Sequence, residues 1–429
     1  MSAFPKILVL SHTCFSKSDA MGSTLQSYFL SYDKEFVAQF FIKKMMPSFD
    51  VCSNYFFLSD KDAFKMAITP FYRKRGKIFT SKKDDDLPSN INSIRTVYTT
   101  KHRSFALLIR NLVWNLAFFN YKKFFKWVDE FSPEVILCQP GDFPFLFKLA
   151  IKLKKKYEIP IIIHQSETYY LKPYKKGLLY KIYRKKFNKA FKELMDNSSA
   201  SIYLSEAIKE DYDKLFNLPS YCIMKGSTIV ADSDNESKST DNRKLSFVYA
   251  GNIDNSVGRA QSLAEFGKEL LKHDLFLDVY SSSSDYDKDV LCEKNGIRFH
   301  GEVTFDELKI ILSKTDFIVH VESFEPDKII DLKYAFSTKI ADMLACGCCP
   351  FVYGPLEISS ISYFYNHKTA FVAKEKKELG SAIKLALDNP DLVTSIKNNA
   401  HSQFLSFHDP IKNSKLFNHI VKNVVKKVN

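Results

Sequence analysis

The stretch Tyr334–Glu357, YAFSTKIADMLACGCCPFVYGPLE, brings two hydroxyls, a lysine and an aspartate into one short segment. Ser337 or Thr338 can cap a helix that has Lys339 in its first turn. Ile340, Met343 and Leu344 recur at helical spacing, and Gly347 supplies the stop. A buried strand then runs to Gly354-Pro355. A helix start offers unpaired N–H groups and the positive end of the helix dipole, both suited to a phosphate. Asp342, about one turn along, is placed to hold a hydroxylated ring attached to that phosphate. Such chemistry is that of a nucleotide site, although a Ser-Thr pair also caps helices that touch no ligand.

The pattern FSTK-I-x-D-x-L-A-x-G, followed by an apolar strand and Y-G-P, resembles the donor-site helix of bacterial family 4-like glycosyltransferases with the GT-B fold. That family commonly carries Glu-x7-Glu. Alignment on Ala345-Cys346-Gly347 puts Asp342 at the second Glu, the ribose-binding position, and Tyr334 at the first, which helps hold the transferred sugar. Three further segments follow the family's order. FVYAGNIDNSVGR (Phe247–Arg259) resembles the first strand and glycine-rich turn of the donor domain, with Gly251, Asn252 and Gly258 in the turn and Arg259 suited to a diphosphate. RFHGEV (Arg298–Val303) resembles the segment whose backbone, at Gly301, Glu302 and Val303, reads the base. DFIVH (Asp316–His320) resembles the strand before the donor loop.

The elements needed to position these groups alternate along the chain. Lys6–Ser11, Phe36–Ile42, Glu134–Cys138, Pro160–His164 and Ala200–Leu204 read as buried strands. Helices are expected near Ser23–Leu30, across the long tract Lys101–Phe131, near Phe145–Lys156, and up to about Met195. Ala231–Lys244 is polar and aperiodic and reads as a linker. The alternation then restarts: strands at Leu245–Ala250, Leu275–Tyr280, Ile297–His300 and Phe317–Val321; helices at Ser262–Lys272, Phe305–Ser313 and Leu379–Asp388. The expected fold is α/β: GT-B, two Rossmann-like domains with parallel sheets facing across a cleft. The expected division is 1–231 for acceptor binding, 245–410 for the nucleotide-sugar donor, and 411–429 as a C-terminal helix packing back toward the first domain.

The first half resembles the family mainly by pattern. SDAMGST (Ser18–Thr24) resembles the loop that faces the donor phosphates and the acceptor, where Gly22 would let backbone N–H groups approach oxyanions. His164, at the end of a strand, falls where related enzymes place a polar residue beside the reacting sugar, though a strand-end histidine is often structural. Glu167 is the alternative just beyond it. Lys225-Gly226 resembles a family position near the cleft.

A chain of 429 residues exceeds one ordinary core, and 45% apolar residues supply ample burial. The net charge of +13 points to an anionic partner. Lys172–Lys192 and Arg103–Trp127 interleave cations with aromatics. The first is expected to lie against anionic headgroups; for the second, a solvated basic face over core aromatics is an equal reading. No nucleic-acid motif accompanies them. The eight cysteines read as buried thiols, and Cys346-Gly347-Cys348-Cys349 lacks a second pair at zinc spacing. Asp84–Asp86 and Asp232/Asp234 mimic a metal-binding D-x-D but sit in polar loop contexts. No Walker A or G-x-G-x-x-G is present. Neither a signal peptide nor a membrane span is expected, and the expected location is the cytoplasm, peripheral on the cytoplasmic face of the inner membrane.

The resemblance implies a retaining, metal-independent hexosyltransferase without cofactor. Its donor would be a UDP- or GDP-type sugar, and its acceptor a glycan or lipid-linked saccharide of the capsule, O-antigen or lipopolysaccharide kind. Ser337, Thr338, Lys339 and Arg259 would hold the diphosphate, Asp342 the ribose and His164 the reacting sugar. A GT-B nucleotide-sugar epimerase and a non-catalytic nucleotide-sugar or glycan-binding protein are the alternatives.

Overall fold

Apolar runs buried on both faces assemble here into two separate, mainly parallel sheets, as strands joined by crossover helices must. The computed structural model describes residues 4–17, 19–69, 76–80, 100–117, 121–171, 177–229, 244–283 and 286–427. Both acidic runs, the polar stretch 231–243, Ser18, Phe118, Phe119 and residues 172–176 of the basic tract lie outside them. The chain divides into two units, Met1–Met224 with Pro410–Asn429, and Lys225–Asp409. The division falls at Met224/Lys225, ahead of the polar stretch.

In the first unit the order is β1 (Ile7–Leu10), α1 (Ala20–Ser27), β2 (Val37–Phe41), β3 (Asn54–Phe57), α2 (Asp60–Ile68) and β4 (Lys77–Phe79). Next come α3 (Thr100–Ala117), α4 (Lys122–Phe131), β5 (Val135–Cys138), α5 (Pro144–Tyr157) and β6 (Ile161–Gln165), then α6 (Leu178–Asp196), β7 (Ala200–Tyr203), α7 (Glu206–Asp213) and β8 (Ser220–Cys222). The sheet runs β4-β3-β2-β1-β5-β6-β7-β8, parallel except where β4 pairs antiparallel with β3. The helix Pro410–Lys426 closes this unit's core with Phe417, Ile420 and Val421. Tyr28 stacks on Phe417 at 5.7 Å, and Ser31 N–H donates to Ser414 Oγ at 2.8 Å.

Two expectations are refined here. The helical tract Lys101–Phe131 is divided into two helices, α3 and α4. The loop expected at Ser18–Thr24 is already helical from Ala20, because the Asp19 carboxylate caps the helix by accepting from Gly22 N–H at 2.9 Å. Short elements with little periodicity, such as β3, β4 and β8, were not anticipated.

The second unit contains β9 (Phe247–Ala250), α8 (Arg259–Leu271), β10 (Leu277–Tyr280), β11 (Ile297–Gly301), α9 (Phe305–Ser313) and β12 (Phe317–Val321). It continues with α10 (Pro326–Leu332), α11 (Ile340–Ala345), β13 (Cys349–Tyr353), α12 (Ser359–His367), β14 (Phe371–Ala373), α13 (Leu379–Asp388) and α14 (Pro390–Gln403). The C-terminal helix of the first unit is α15. All six strands are parallel, in the order β11-β10-β9-β12-β13-β14. In chain order that is 3-2-1-4-5-6, the doubly wound arrangement of dinucleotide-binding folds. Phe247, Phe266, Phe317 and Phe351 form its core. All eight cysteines are free, six of them buried. Among the described residues, no helix is long and apolar enough to cross a membrane.

Candidate functional site

In a doubly wound sheet, ligands bind outside the carboxyl ends of the strands where the strand order reverses. In the second unit that point lies between β9 and β12. Around it gather Ala250, Gly251 and Asn252 after β9, Arg259 at the start of α8, Glu322 after β12, and the turn leading into α11.

Glu322 is the hub, and the sequence reading missed it. Only 1% of its surface is exposed, and it takes a two-pronged grip from Arg259: Nε at 3.0 Å from Oε2 and Nη2 at 2.7 Å from Oε1. His320, two residues back and so on the same face of β12, brings Nε2 to 3.3 Å from Oε1 and 3.2 Å from Ser360 Oγ. Burial alone would raise the Glu322 carboxyl, but His320 and Arg259 hold it down at about 2. The one signal available was position: a carboxylate just past a buried parallel strand.

This arrangement corrects the role expected for Arg259. Its fork is filled by Glu322, and Nη1 donates to the Asn252 carbonyl at 3.2 Å. A guanidinium matches one carboxylate or one phosphate in this manner, so Arg259 braces the frame, and its two-pronged face is taken by Glu322. Asn252 likewise shapes its own turn: Oδ1 accepts from Asp254 N–H at 2.8 Å and from Ser283 Oγ at 2.9 Å.

The cation that remains is Lys339. Its Nζ donates to the Ala250 carbonyl at 2.8 Å and lies 4.8 Å from the centre of the Tyr249 ring. Burial, reinforced by Arg259 and opposed by Glu322 and Asp342, lowers its ammonium to about 7. The helix-start expectation also needs correcting. Lys339 is itself the N-cap of α11, and neither Ser337 nor Thr338 caps by side chain. Ser337 Oγ accepts from Lys339 N–H at 3.4 Å and so shapes the turn. Ser337 and Thr338 are half-buried there.

Asp342 faces a partner that sequence reasoning did not name: Ser227 Oγ donates to its Oδ1 at 2.6 Å. Burial raises the Asp342 carboxyl, against the pull of Lys225, Ser227 and Lys339. The segment Lys225–Ser227 is held in place by His408, whose Nδ1 lies 2.8 Å from the Lys225 carbonyl and whose Nε2 lies 2.8 Å from Tyr363 Oη. Ser227 N–H donates to the His408 carbonyl at 3.1 Å. Tyr334, between α10 and α11, is half-buried with Lys333 Nζ 4.8 Å from its ring centre. Further along the carboxyl edge, Gly301 closes β11 and accepts from Ser281 N–H at 2.8 Å, Glu302 is exposed and Val303 half-buried.

The candidates of the first unit fare differently. Gly22 donates its N–H to Asp19, so it offers nothing to an oxyanion. Its glycine is instead required by packing, since a Cβ would collide with the Cys14 carbonyl oxygen and lie 3.1 Å from Ser16 Cβ. His164 is wholly buried, with Nε2 3.1 Å from Tyr28 Oη, which itself donates to the Ile223 carbonyl. Burial lowers its imidazole to about 4, which keeps it neutral. This is a core histidine and cannot meet a sugar. Glu167, just past β6, is exposed. Where the order of the first sheet reverses, between β1 and β5, His12 stacks on Phe143 with ring centres 4.5 Å apart. Among the described residues no three His, Cys, Asp or Glu side chains converge as a metal-ligand set.

Residues 259–417 match the family described as Glycosyl transferase-like. No curated protein matches the chain. Solved structures similar to it include Anabaena HepE in complex with UDP (11% identity, TM-score 0.61, 97% of this chain and 100% of that one). Sucrose-phosphate synthase from Thermosynechococcus elongatus is also similar (10% identity, TM-score 0.60, 98% and 99% covered). So is a glycosyltransferase from Rickettsia africae (12% identity, TM-score 0.60, 99% of each chain). At such identities the likeness is one of fold, and the fold is GT-B.

Proposed function

We propose that this protein is a glycosyltransferase that takes its sugar from a nucleotide diphosphate. The observation that carries this reading is the pairing of one ammonium, Lys339, and one carboxylate, Asp342, at the β9/β12 reversal of a doubly wound sheet. The ammonium suits the diphosphate, with the Ser337 and Thr338 hydroxyls beside it. The carboxylate suits the ribose hydroxyls, and the backbone of Gly301–Val303 suits the base. UDP is the first nucleotide to try, because HepE was solved with UDP. Transfer with retention, without metal or cofactor, is the mechanism we choose for it. The net charge of +13 favours an acceptor presented at an anionic surface, and a lipid-linked saccharide of a cell-surface glycan is our choice.

Thermal shift with UDP and GDP tests the reading. A ligand at a hundredfold excess over its dissociation constant should stabilise the fold by about 2.7 kcal/mol. No shift with any nucleoside diphosphate would sink the proposal. Turnover of the matching nucleotide sugar then separates transfer from epimerisation, and binding without turnover identifies a non-catalytic binder.

A further inference from the structure

Helix α3 is inside out. Among its described side chains, residues 104–117, the exposed positions are Phe105 (52%), Ile109 (43%), Leu112 (59%) and Leu116 (53%), and no others. At about 100° per residue these four fall within a narrow arc, a stripe some 16 Å long. The opposite face carries the polar anchors. Arg110 reaches Asp60 of α2 with Nε at 2.8 Å and Nη2 at 3.0 Å, and Trp114 Nε1 donates to the same carboxylate at 2.7 Å. The helix is therefore fixed with its apolar side outward, and rotation to bury the stripe would break all three bonds.

The neighbouring helices also expose apolar residues. α2 exposes Phe64 and Ile68, one turn apart, and α6 exposes Leu178 (75%) and Ile182 at its start. Both helices pack against α3. Cations flank the apolar ground: Lys61 on the outer face of α2, and Lys181, Lys185 and Lys189 along the exposed face of α6. α3 itself carries no acidic residue. Asp60 is engaged by Arg110 and Trp114, Asp62 closes a capping box with Ser59, and Glu193 and Asp196 lie at the far end of α6 from Leu178.

We propose that the α2/α3/α6 face docks on an anionic lipid surface, with the α3 stripe inserted among the acyl chains and the lysines on the headgroups. Apolar side chains exposed on three helices that pack together, with lysines beside them, are the arrangement such a surface accepts. A second copy of this chain is the poorer occupant, because a two-fold pairing would set the same lysines against each other. The idea deepens the lipid-linked acceptor reading and rests on it for its purpose, but it is measured without any nucleotide.

The test is co-sedimentation with phosphatidylcholine vesicles with and without phosphatidylglycerol. The wild-type protein should bind the mixed vesicles. Leu112→Glu with Leu116→Glu, and separately Lys185→Glu with Lys189→Glu, should each weaken partitioning at least about tenfold. These positions are exposed, so melting curves and UDP-induced stabilisation should match the wild type. Failure of the wild type to bind, or equal binding by the leucine variant, overturns the proposal. So does a wild-type dimer that the leucine variant dissolves without any vesicle binding, which would assign the face to a second copy. Vesicle binding without UDP binding would remove the donor-site reading and leave this one standing.

Discussion

Lys339 occupies the space that a side chain on Gly251 would take. A Cβ at Gly251 would collide with Lys339 Nζ and lie 2.9 Å from its Cε. Glycine at this position is what lets the ammonium reach the Ala250 carbonyl. Gly251→Ala should therefore push aside only the tip of a flexible side chain, leaving the fold nearly as stable. If Lys339 holds the diphosphate, Gly251→Ala and Lys339→Met should weaken UDP by similar factors, about tenfold or more for a lost bond to a charged group. Combined, they should cost little beyond either alone. Additive losses in calorimetric titration would show that the two residues act separately.

The low value of the Lys339 ammonium, about 7, predicts proton uptake on binding. The free protein is largely uncharged there above pH 7, whereas a diphosphate favours the charged form. UDP affinity should fall roughly tenfold per pH unit above about 7, until the value in the complex is reached. Heats measured in buffers of different ionisation enthalpy should reveal the proton. Lys339→Met should flatten the profile, and an unaltered slope in that variant would assign the proton elsewhere.

Much of the frame was legible because parallel strands buried on both faces are continuous apolar runs. Phe317–Val321 is found at the residues expected for such a strand, and helical periodicity placed Phe305–Ser313 and Leu379–Asp388 equally well. Periodicity locates a helix but not the face it buries. In α3 the choice is made by Asp60, some 50 residues upstream, which ties Arg110 and Trp114 inward. The same limit explains Glu322 and Ser227. A motif shows that Arg259 and Asp342 are polar groups at a turn, but not that partners 63 and 115 positions away in the chain already hold them. For His164 the strand-end position was visible, while enclosure by Tyr28 depends on α1 and on packing against α15.

The pair Arg259–Glu322 should dominate the stability of the second unit. Removing one partner leaves the other charge buried and uncompensated, so Glu322→Ala should cost about 3–5 kcal/mol in denaturant titrations near neutral pH. The acid dependence follows from the carboxyl, which falls from an ordinary 4.5 to about 2 in the folded protein. Its stabilising contribution is complete above about pH 4.5 and is lost as pH falls through about 2. The stability gap between wild type and Glu322→Ala should narrow across that window. A gap independent of pH would mean that packing, not charge, accounts for it.

Ser227 and Asp342 offer the sharpest separation of a binding role from a structural one. If Asp342 accepts from ribose hydroxyls, Asp342→Ala should weaken UDP about ten- to a hundredfold, since bonds to a charged group are worth about 1.5–3 kcal/mol. Asp342→Asn should retain part of the affinity, because an amide oxygen still accepts. Ser227 Oγ orients the carboxylate at 2.6 Å without needing to touch the nucleotide. Ser227→Ala should therefore cost less, about severalfold, and nothing further once Asp342 is Ala. Uridine should share the loss, whereas inorganic diphosphate should bind the wild type and Asp342→Ala equally. If a folded Asp342→Ala protein binds UDP as tightly as the wild type, the carboxylate serves only to hold the Lys225–Ser227 segment, and the ribose must be sought elsewhere along the carboxyl edge of the sheet.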